Sequence, residues 1–544
     1  MTAGSTKAWL RAQWPLFALA LAAGLPIVGS AIHAISAGWT PLGDNAFTAV
    51  RALDVLTSHT PLSGQWSSGA TTALGEPVDS PGPMLFWLFA VPVRLPDARA
   101  LPVTMAIVNL LCIAGALALA RRRGGFALML AVAAGVALTL ASLPADAYTD
   151  VWNSSAPLMP LLLLTMLAWS VAAGEYPLLP ATVLVGSFVA QAHLTFVAPA
   201  VCLLVAALTL LLWQLPRRRD ELPQVRRWAL AAVLVGALCW APPIADAVVH
   251  EGGNPSRIVR SAQADVPKLG KAAGLRAVVS AVGIRPRWLA SPASFQEWRS
   301  DLLTSPDLVA AGSTVVLLAG LASALAFGLV RRRPDLAAAG GIGLALCVAI
   351  FLVAGSTPQT GLINVLYTLR WASVAGMVVW MAAGWAALSF ASPRLRQRAA
   401  RSGPVAAWAA AALVVAIGTV VLIRSDPLDQ PYRETRVTAD RLVDALPQKS
   451  TTRVEARITS ALFMTAHLHG GLVYALRRAG RGVTIDENAA LGFGRRYANR
   501  AHDHVAELIV DQPSSGKGRR VSLVRAFDPF ENVTRSVEVR LASG

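Results

Sequence analysis

Apolar residues run along this chain in long blocks, broken by short polar or arginine-rich stretches, as far as about residue 423. A helix needs about 17 to 25 predominantly apolar residues to cross a bilayer. That criterion predicts eleven spans, at 14–36, 101–120, 125–143, 156–173, 178–193, 195–214, 228–246, 307–330, 336–354, 367–390 and 404–423. The aromatic stretch Met84–Leu95 is too short to cross, and counting it as a span would put Arg121, Arg122 and Arg123 on the outside. It is predicted as an interfacial or re-entrant helix. In the loop before it, Phe47, Val50, Leu53 and Leu56 form an apolar stripe that predicts an amphipathic helix over 45–56.

The pattern changes in the tail, from Arg424 onward. Stretches rich in β-branched residues (Arg453–Thr459, Gly482–Ile485, Ala506–Val510, Arg520–Ala526) flank an amphipathic run, Ser460–Arg478, in which Leu462, Leu468, Leu472 and Leu476 recur near helical spacing. The predicted fold class is therefore a polytopic all-α membrane domain of about 11 transmembrane helices with a small C-terminal extracytoplasmic α/β domain. The domains are 1–423, with long outward loops at 37–100 and 247–306, and 424–544.

Composition supports the membrane assignment, since 55% hydrophobic residues, 15% charged residues and a mean hydropathy of +0.52 are more apolar than a soluble core can enclose. The net charge of +17 does not point to nucleic acid, because the arginines cluster as Arg121–Arg123, Arg217–Arg219 and Arg331–Arg333 directly after apolar segments. With Lys7, Arg11, Arg394, Arg396, Arg398 and Arg401 they define the inside, whereas the shorter outside loops hold only Arg51, Arg94, Arg99 and Arg370. The expected location is the cytoplasmic (inner) membrane, with the N-terminus cytoplasmic and the tail outside. Lys7 and Arg11 precede a run long enough to span, which reads as a retained signal anchor. Cys112, Cys202, Cys239 and Cys347 all lie in apolar stretches, so neither disulfides nor a zinc site is expected.

The order of several motifs carries a resemblance. A first span leads to the acidic tetrad Gly43-Asp44-Asn45-Ala46, then to the Pro-rich aromatic stretch Ser80-Pro81-Gly82-Pro83-Met84-Leu85-Phe86-Trp87, and then to a span closing in Arg121-Arg122-Arg123-Gly124-Gly125. Later come Cys239-Trp240-Ala241-Pro242-Pro243, Glu251-Gly252-Gly253-Asn254-Pro255, Gly470-Gly471-Leu472, Arg478-Ala479-Gly480 and Phe493-Gly494-Arg495-Arg496. This order resembles GT-C glycosyltransferases, nearest the polyprenyl-phosphate-sugar-dependent mannosyl-, aminoarabinosyl- and arabinofuranosyltransferases. The resemblance implies an inverting membrane glycosyltransferase acting on the outer face, with a polyprenyl-phosphate sugar as donor and a cell-envelope glycan or glycolipid as acceptor. Many such enzymes pair two acids in the first loop, and here Asn45 stands beside Asp44.

The implied chemistry needs a carboxylate to take the acceptor's proton and a cation to hold the departing phosphate. Asp44 is the candidate base, with a helix N-cap as its structural alternative. Asp146 and Asp150, in the next outward loop, either position the donor or share a divalent cation (Mg, Mn or Ca) with Asp44, or serve turn and helix-start roles, with Ser154 or Ser155 capping the fourth span. The metal assignment rests on Asp44 and Asp150. For the phosphate the candidates are Arg370, between Tyr367 and Trp371, and Arg257 with Arg260, three apart on one helix face; attraction to lipid headgroups is the alternative.

His193, Glu76 and Asp79 are candidate cavity residues, His193 against an interhelical hydrogen bond and the two acids against plain loop solvation. His467 and His469 stand two apart and project from different helix faces, which predicts surface or interdomain histidines rather than a metal pair. Trp288, Phe295 and Trp298 are expected in an interfacial helix. Two further readings of the chain stay open, a transporter or flippase of lipid-linked glycans and a catalytically inactive scaffold. A transporter favours internal repeats with broken helices at mid-membrane, and no convincing repeat is evident.

Overall fold

The computed structural model describes residues 14–292, 294–390, 403–424, 431–457, 462–498, 501–510, 518–528 and 533–543. Arg394, Arg396, Arg398 and Arg401 lie outside the described residues. Among those described, six helices are long and apolar enough to cross a membrane: Ala100–Ala141, Leu194–Arg217, Arg219–Val249, Leu308–Val330, Pro334–Ser356 and Leu366–Phe390. A seventh is the pair Trp14–Ala23 and Leu25–Ser36, bent by 60° at Gly24. The protein is a multi-pass membrane protein.

Four predicted spans account for the difference from eleven: two short helices, one of the two spans within Ala100–Ala141, and 404–423, of which Ala411–Arg424 counts as a shorter apolar helix. Leu158–Ala172 and Leu179–Ala192 hold 15 and 14 residues, short of a bilayer's width, although both are strongly apolar. Ala100–Ala141, 42 residues, holds two of the predicted spans as two helices that meet at a kink, with non-helical backbone at Gly124 and at Gly125, where φ is +66° and only glycine sits without strain. A straight helix of that length would measure about 63 Å, twice the hydrocarbon thickness of about 30 Å. The bundle is filled by large aromatic and aliphatic side chains; Trp169 and Trp385 meet edge to face with centroids 5.7 Å apart.

Met84–Phe89 is a six-residue helix, too short to cross as expected, and it buries Leu85, Phe86 and Phe89. The loop helix runs Gly43–Asp54, and its apolar stripe stops short of Leu56, which is exposed with φ +63°. Trp288 and Trp298 are buried in the bundle core, 6% and 5% exposed, so their reading as interfacial anchors is corrected.

The tail folds as a five-stranded sheet in the order β2-β1-β3-β5-β4, with β1 Thr451–Arg457, β2 Gly482–Thr484, β3 His504–Val510, β4 Arg519–Asp528 and β5 Val533–Ser543. β1 pairs in parallel with β2 and β3, and β5 runs antiparallel to β3 and β4. The helix Leu462–Arg478 makes the crossover that parallel β1 and β2 require. The helix Tyr432–Asp444 and strand β5 are additions to the sequence-based expectation.

This tail does not stand apart from the membrane domain. Leu468, Leu472 and Phe493 share one apolar cluster with Ala46, Val50 and Phe89 of the first loop. The helices Leu462–Arg478 and Gly43–Asp54 approach so closely that a Cβ on Gly470 would lie 2.9 Å from the Ala46 Cβ and 3.1 Å from Gly43 backbone atoms. Gly470→Ala is expected to destabilise the protein by about 1–3 kcal/mol through overpacking, read as a lower melting temperature in detergent; an unchanged melting curve would refute this contact.

Candidate functional site

A cavity of about 1400 Å³ opens between the first loop, the loop 142–157, the helix Pro334–Ser356 and the tail. Its polar end is built around Asp44. The Gly43–Asp54 helix starts at Leu42, which makes no side-chain cap, and Asp44 lies in the first turn, so the capping alternative is overturned. The carboxylate faces the cavity and is reachable by water, yet protein surrounds it. That enclosure, reinforced by the negative charge of Asp150, pushes its pKa up to about 6.

Asp150 is half-buried in the loop 142–157 and its carboxyl is itself raised by burial. Its carboxylate accepts a hydrogen bond from the Trp152 backbone N–H at 3.2 Å, and the nearby Ser155 hydroxyl, Arg370 and Asn45 partly offset the effect of burial. Asn45, the neighbour of Asp44 in the Gly43–Asp54 helix, lines the same cavity as Asp150. Ser155 does not cap the fourth helix, which begins at Leu158 behind Pro157 with no side-chain cap. It accepts a hydrogen bond from Arg370 Nη1 at 2.8 Å. The result is a chain Asp44, Asp150, Ser155, Arg370 drawn from three separate segments.

Arg370 is 7% exposed and its guanidinium lies 5.4 Å from the Tyr367 ring centroid. Its Nε has no hydrogen-bond partner among the described residues. Tyr367 packs edge to face on Trp152 with centroids 4.5 Å apart, fixing the wall between acid and guanidinium. Asp146 lines the same cavity, as does His193, whose Nδ1 sits 2.9 Å from the Thr195 hydroxyl.

Two further residues line the wall, Tyr432, which the sequence did not single out, and His467, which it predicted as a surface or interdomain histidine. Tyr432, first residue of the tail helix Tyr432–Asp444, lines the cavity beside Trp39, with burial and the charges of Asp146 and Asp150 pushing its phenol up. His467 lies against Gly43, close enough that a Cβ there would be 3.3 Å from its ring. The neighbouring His469 turns the other way, with Nε2 3.2 Å from the Val454 carbonyl of β1. Their two-residue spacing was the signal, since opposite faces of one helix meet different surroundings.

The remaining candidates sit elsewhere. Arg257, Arg260, Glu76 and Asp79 line a second cleft and not the cavity that holds Asp44. The helix Gly253–Gln263 separates the two, turning Ile258, Ser261 and Ala262 to the cavity and Arg257 and Arg260 to the cleft. Arg260 pairs with Glu76 through Nη2 at 2.8 Å, which holds the exposed Glu76 below the usual carboxylate range. For a divalent cation the cavity offers Asp44, Asp150 and the Asn45 amide; among the described residues no group of three or more acidic, His or Cys side chains is placed to hold one.

A helical membrane bundle, a polar cavity under long loops and a small sheet packed on the first loop make a fold similar to that of a solved membrane protein. The crystal structure of ArnT from Cupriavidus metallidurans in the apo state matches it with a TM-score of 0.52 and 12% identity, over 97% of this chain and 98% of that one. A second crystal structure of the same protein, bound to undecaprenyl phosphate, matches with a TM-score of 0.49 and 12% identity, over 91% and 96% of the two chains. The likeness is one of fold. No protein-family profile and no curated protein matches the sequence.

Proposed function

We propose that the protein is an inverting glycosyltransferase that moves one sugar from a polyprenyl-phosphate donor to a cell-envelope glycan or glycolipid. The observation that carries this reading is a single cavity with two chemically different ends. Asp44, Asp150 and Arg370 occupy one end; the lining runs from there to Val201 and Leu352, 48% and 47% exposed on the apolar flank of the bundle. Such a cavity takes a polar reacting group and a lipid tail at once. The likeness of fold to ArnT, with the resemblance of the sequence motifs to GT-C glycosyltransferases, supports the same class of chemistry.

In the proposed reaction Asp44 accepts the proton of the acceptor hydroxyl as that oxygen attacks the anomeric carbon. The anomeric carbon–oxygen bond to phosphate breaks, its electron pair leaves with the phosphate, and the configuration inverts. Enclosure by the cavity walls and the charge of Asp150 make Asp44 a stronger base than a solvated carboxylate while keeping it ionised at neutral pH. Asp150 and Ser155 orient Arg370, whose guanidinium meets the developing charge on the phosphate. The mechanism routes no step through a metal. The arginine bias supports a cavity on the outer face of the cytoplasmic membrane, with residues 424–544 outside.

Arg370→Gln tests the phosphate role directly. Binding of polyprenyl phosphate to the purified protein is expected to weaken at least tenfold, about 1.4 kcal/mol. Undiminished binding by a folded variant would remove Arg370 from the proposal.

A further inference from the structure

The second cleft has a volume of about 380 Å³ and lies where three parts of the chain meet: the first loop, the helix Gly253–Gln263 and the tail segment Leu491–Arg495. Its lining carries four arginines, Arg51, Arg257, Arg260 and Arg495, and four carboxylates, Glu76, Asp79, Asp246 and Glu251. Glu76 is engaged by Arg260, and Asp246 accepts from the Asn254 backbone N–H at 2.6 Å and sits 2.9 Å from His250. That leaves Arg51, Arg257 and Arg495 facing Asp79 and Glu251. Arg51 also leans toward Asp54, at 4.0 Å. Arg257 keeps a buried Nε without a hydrogen-bond partner among the described residues. Asp79 is fixed by the Ser63 hydroxyl, which donates to it at 2.6 Å, and all three arginines act on it electrostatically.

The backbone around the cleft is shaped to bring these groups together. Glu251, Gly252 and Gly253 are three successive left-handed residues, with φ of +49°, +95° and +45°, an arrangement that costs free energy at the non-glycine position. A Cβ on Gly253 would meet Asp246 Oδ2 at 2.4 Å, and one on Gly494, where φ is +110°, would meet Arg51 Nη1 at 2.5 Å. Two sequence motifs that the transfer site does not use, Glu251-Gly252-Gly253 and Phe493-Gly494-Arg495, therefore converge on one wall. Guanidinium groups beside fixed carboxylates supply donors for an anionic oxygen group and acceptors for neighbouring hydroxyls. Trp66 lines both this cleft and the main cavity.

We propose that this cleft is a binding site for an anionic saccharide, a sugar that carries a phosphate or carboxylate group, held by Arg257 and Arg495 through the anion and by Asp79 through hydroxyls. The proposal goes beyond the transferase reading and is measured without turnover. Glucose 1-phosphate, glucose and inorganic phosphate are titrated calorimetrically into the purified full-length protein, its Arg257→Gln and Arg495→Gln variants, and Arg370→Gln as a marker of the main cavity. Melting curves establish that each variant is folded.

The wild type is expected to bind glucose 1-phosphate at least tenfold more tightly than either glucose or phosphate. Both cleft variants are expected to lose at least tenfold in affinity, and Arg370→Gln to keep it. Equal binding of glucose 1-phosphate and inorganic phosphate would overturn the saccharide assignment. Undiminished binding by folded cleft variants, or a loss confined to Arg370→Gln, would overturn the site.

Discussion

Asp44→Asn is expected to lower sugar transfer by about 10²- to 10⁴-fold with little change in stability, because the amide keeps the shape of the side chain and cannot accept the acceptor's proton. The pH dependence makes the prediction specific. Enclosure and Asp150 raise the Asp44 carboxyl, so the base is lost as pH falls through about 6, well above the range of a solvated aspartate. Transfer at pH 5 is therefore expected to be about tenfold below the plateau, as a single ionisation at that pKa requires. Asp150→Asn removes the neighbouring negative charge, lets the Asp44 pKa fall, and moves the acid limb to lower pH. An acid limb that stays in place in Asp150→Asn would show that the two carboxylates do not interact.

The second large effect concerns the far end of the same helix. Asp54 is fully buried, where it pairs with Arg496, stands 3.7 Å from Arg477 and accepts a hydrogen bond from the Tyr497 hydroxyl at 3.0 Å. Arg496, Arg477 and Tyr497 all belong to the tail. Asp54→Ala would leave those cations facing each other in a half-buried pocket, and breaking a buried pair on one side costs about 3–5 kcal/mol. The expected result is a fall in stability toward the lower end of that range, since Arg477 and Arg496 keep some solvent contact. Transfer should fall with it, because the helix that Asp54 anchors carries Asp44 at its other end. Denaturation of wild type and variant in the same detergent reads the effect; a loss below about 1 kcal/mol would mean the cluster does not hold the tail to the loop.

Much of this was legible in the chain because a bilayer imposes length. Blocks such as Leu308–Val330 and Pro334–Ser356 need no partner to be recognised, and the predicted spans meet them within a few residues. The parts that depend on packing between distant segments were less visible. Sequence could place Asp146 and Asp150 in one loop but not say that Asp150 would join Ser155, Asn45 and Arg370. It could put Arg257 and Arg260 on one helix face but not reveal that this face looks away from Asp44. Trp288 and Trp298 read as interfacial because tryptophan favours that depth, and helix packing buried them instead. The role of the tail is the largest such gap, since Tyr432 and His467 line the cavity from two tail helices, one of which packs on the first loop at Gly470.

The central claim is that the cavity holding Asp44, Asp150 and Arg370 transfers sugar from a polyprenyl phosphate. The most direct measurement incubates purified protein in vesicles with a panel of polyprenyl-phosphate sugars labelled in the sugar, together with cell-envelope glycan, and follows label reaching the glycan and release of free polyprenyl phosphate. The account predicts both from at least one donor with wild-type protein, and neither above background with Asp44→Asn. It would be contradicted by folded wild-type protein that transfers no label from any donor while moving labelled lipid between leaflets.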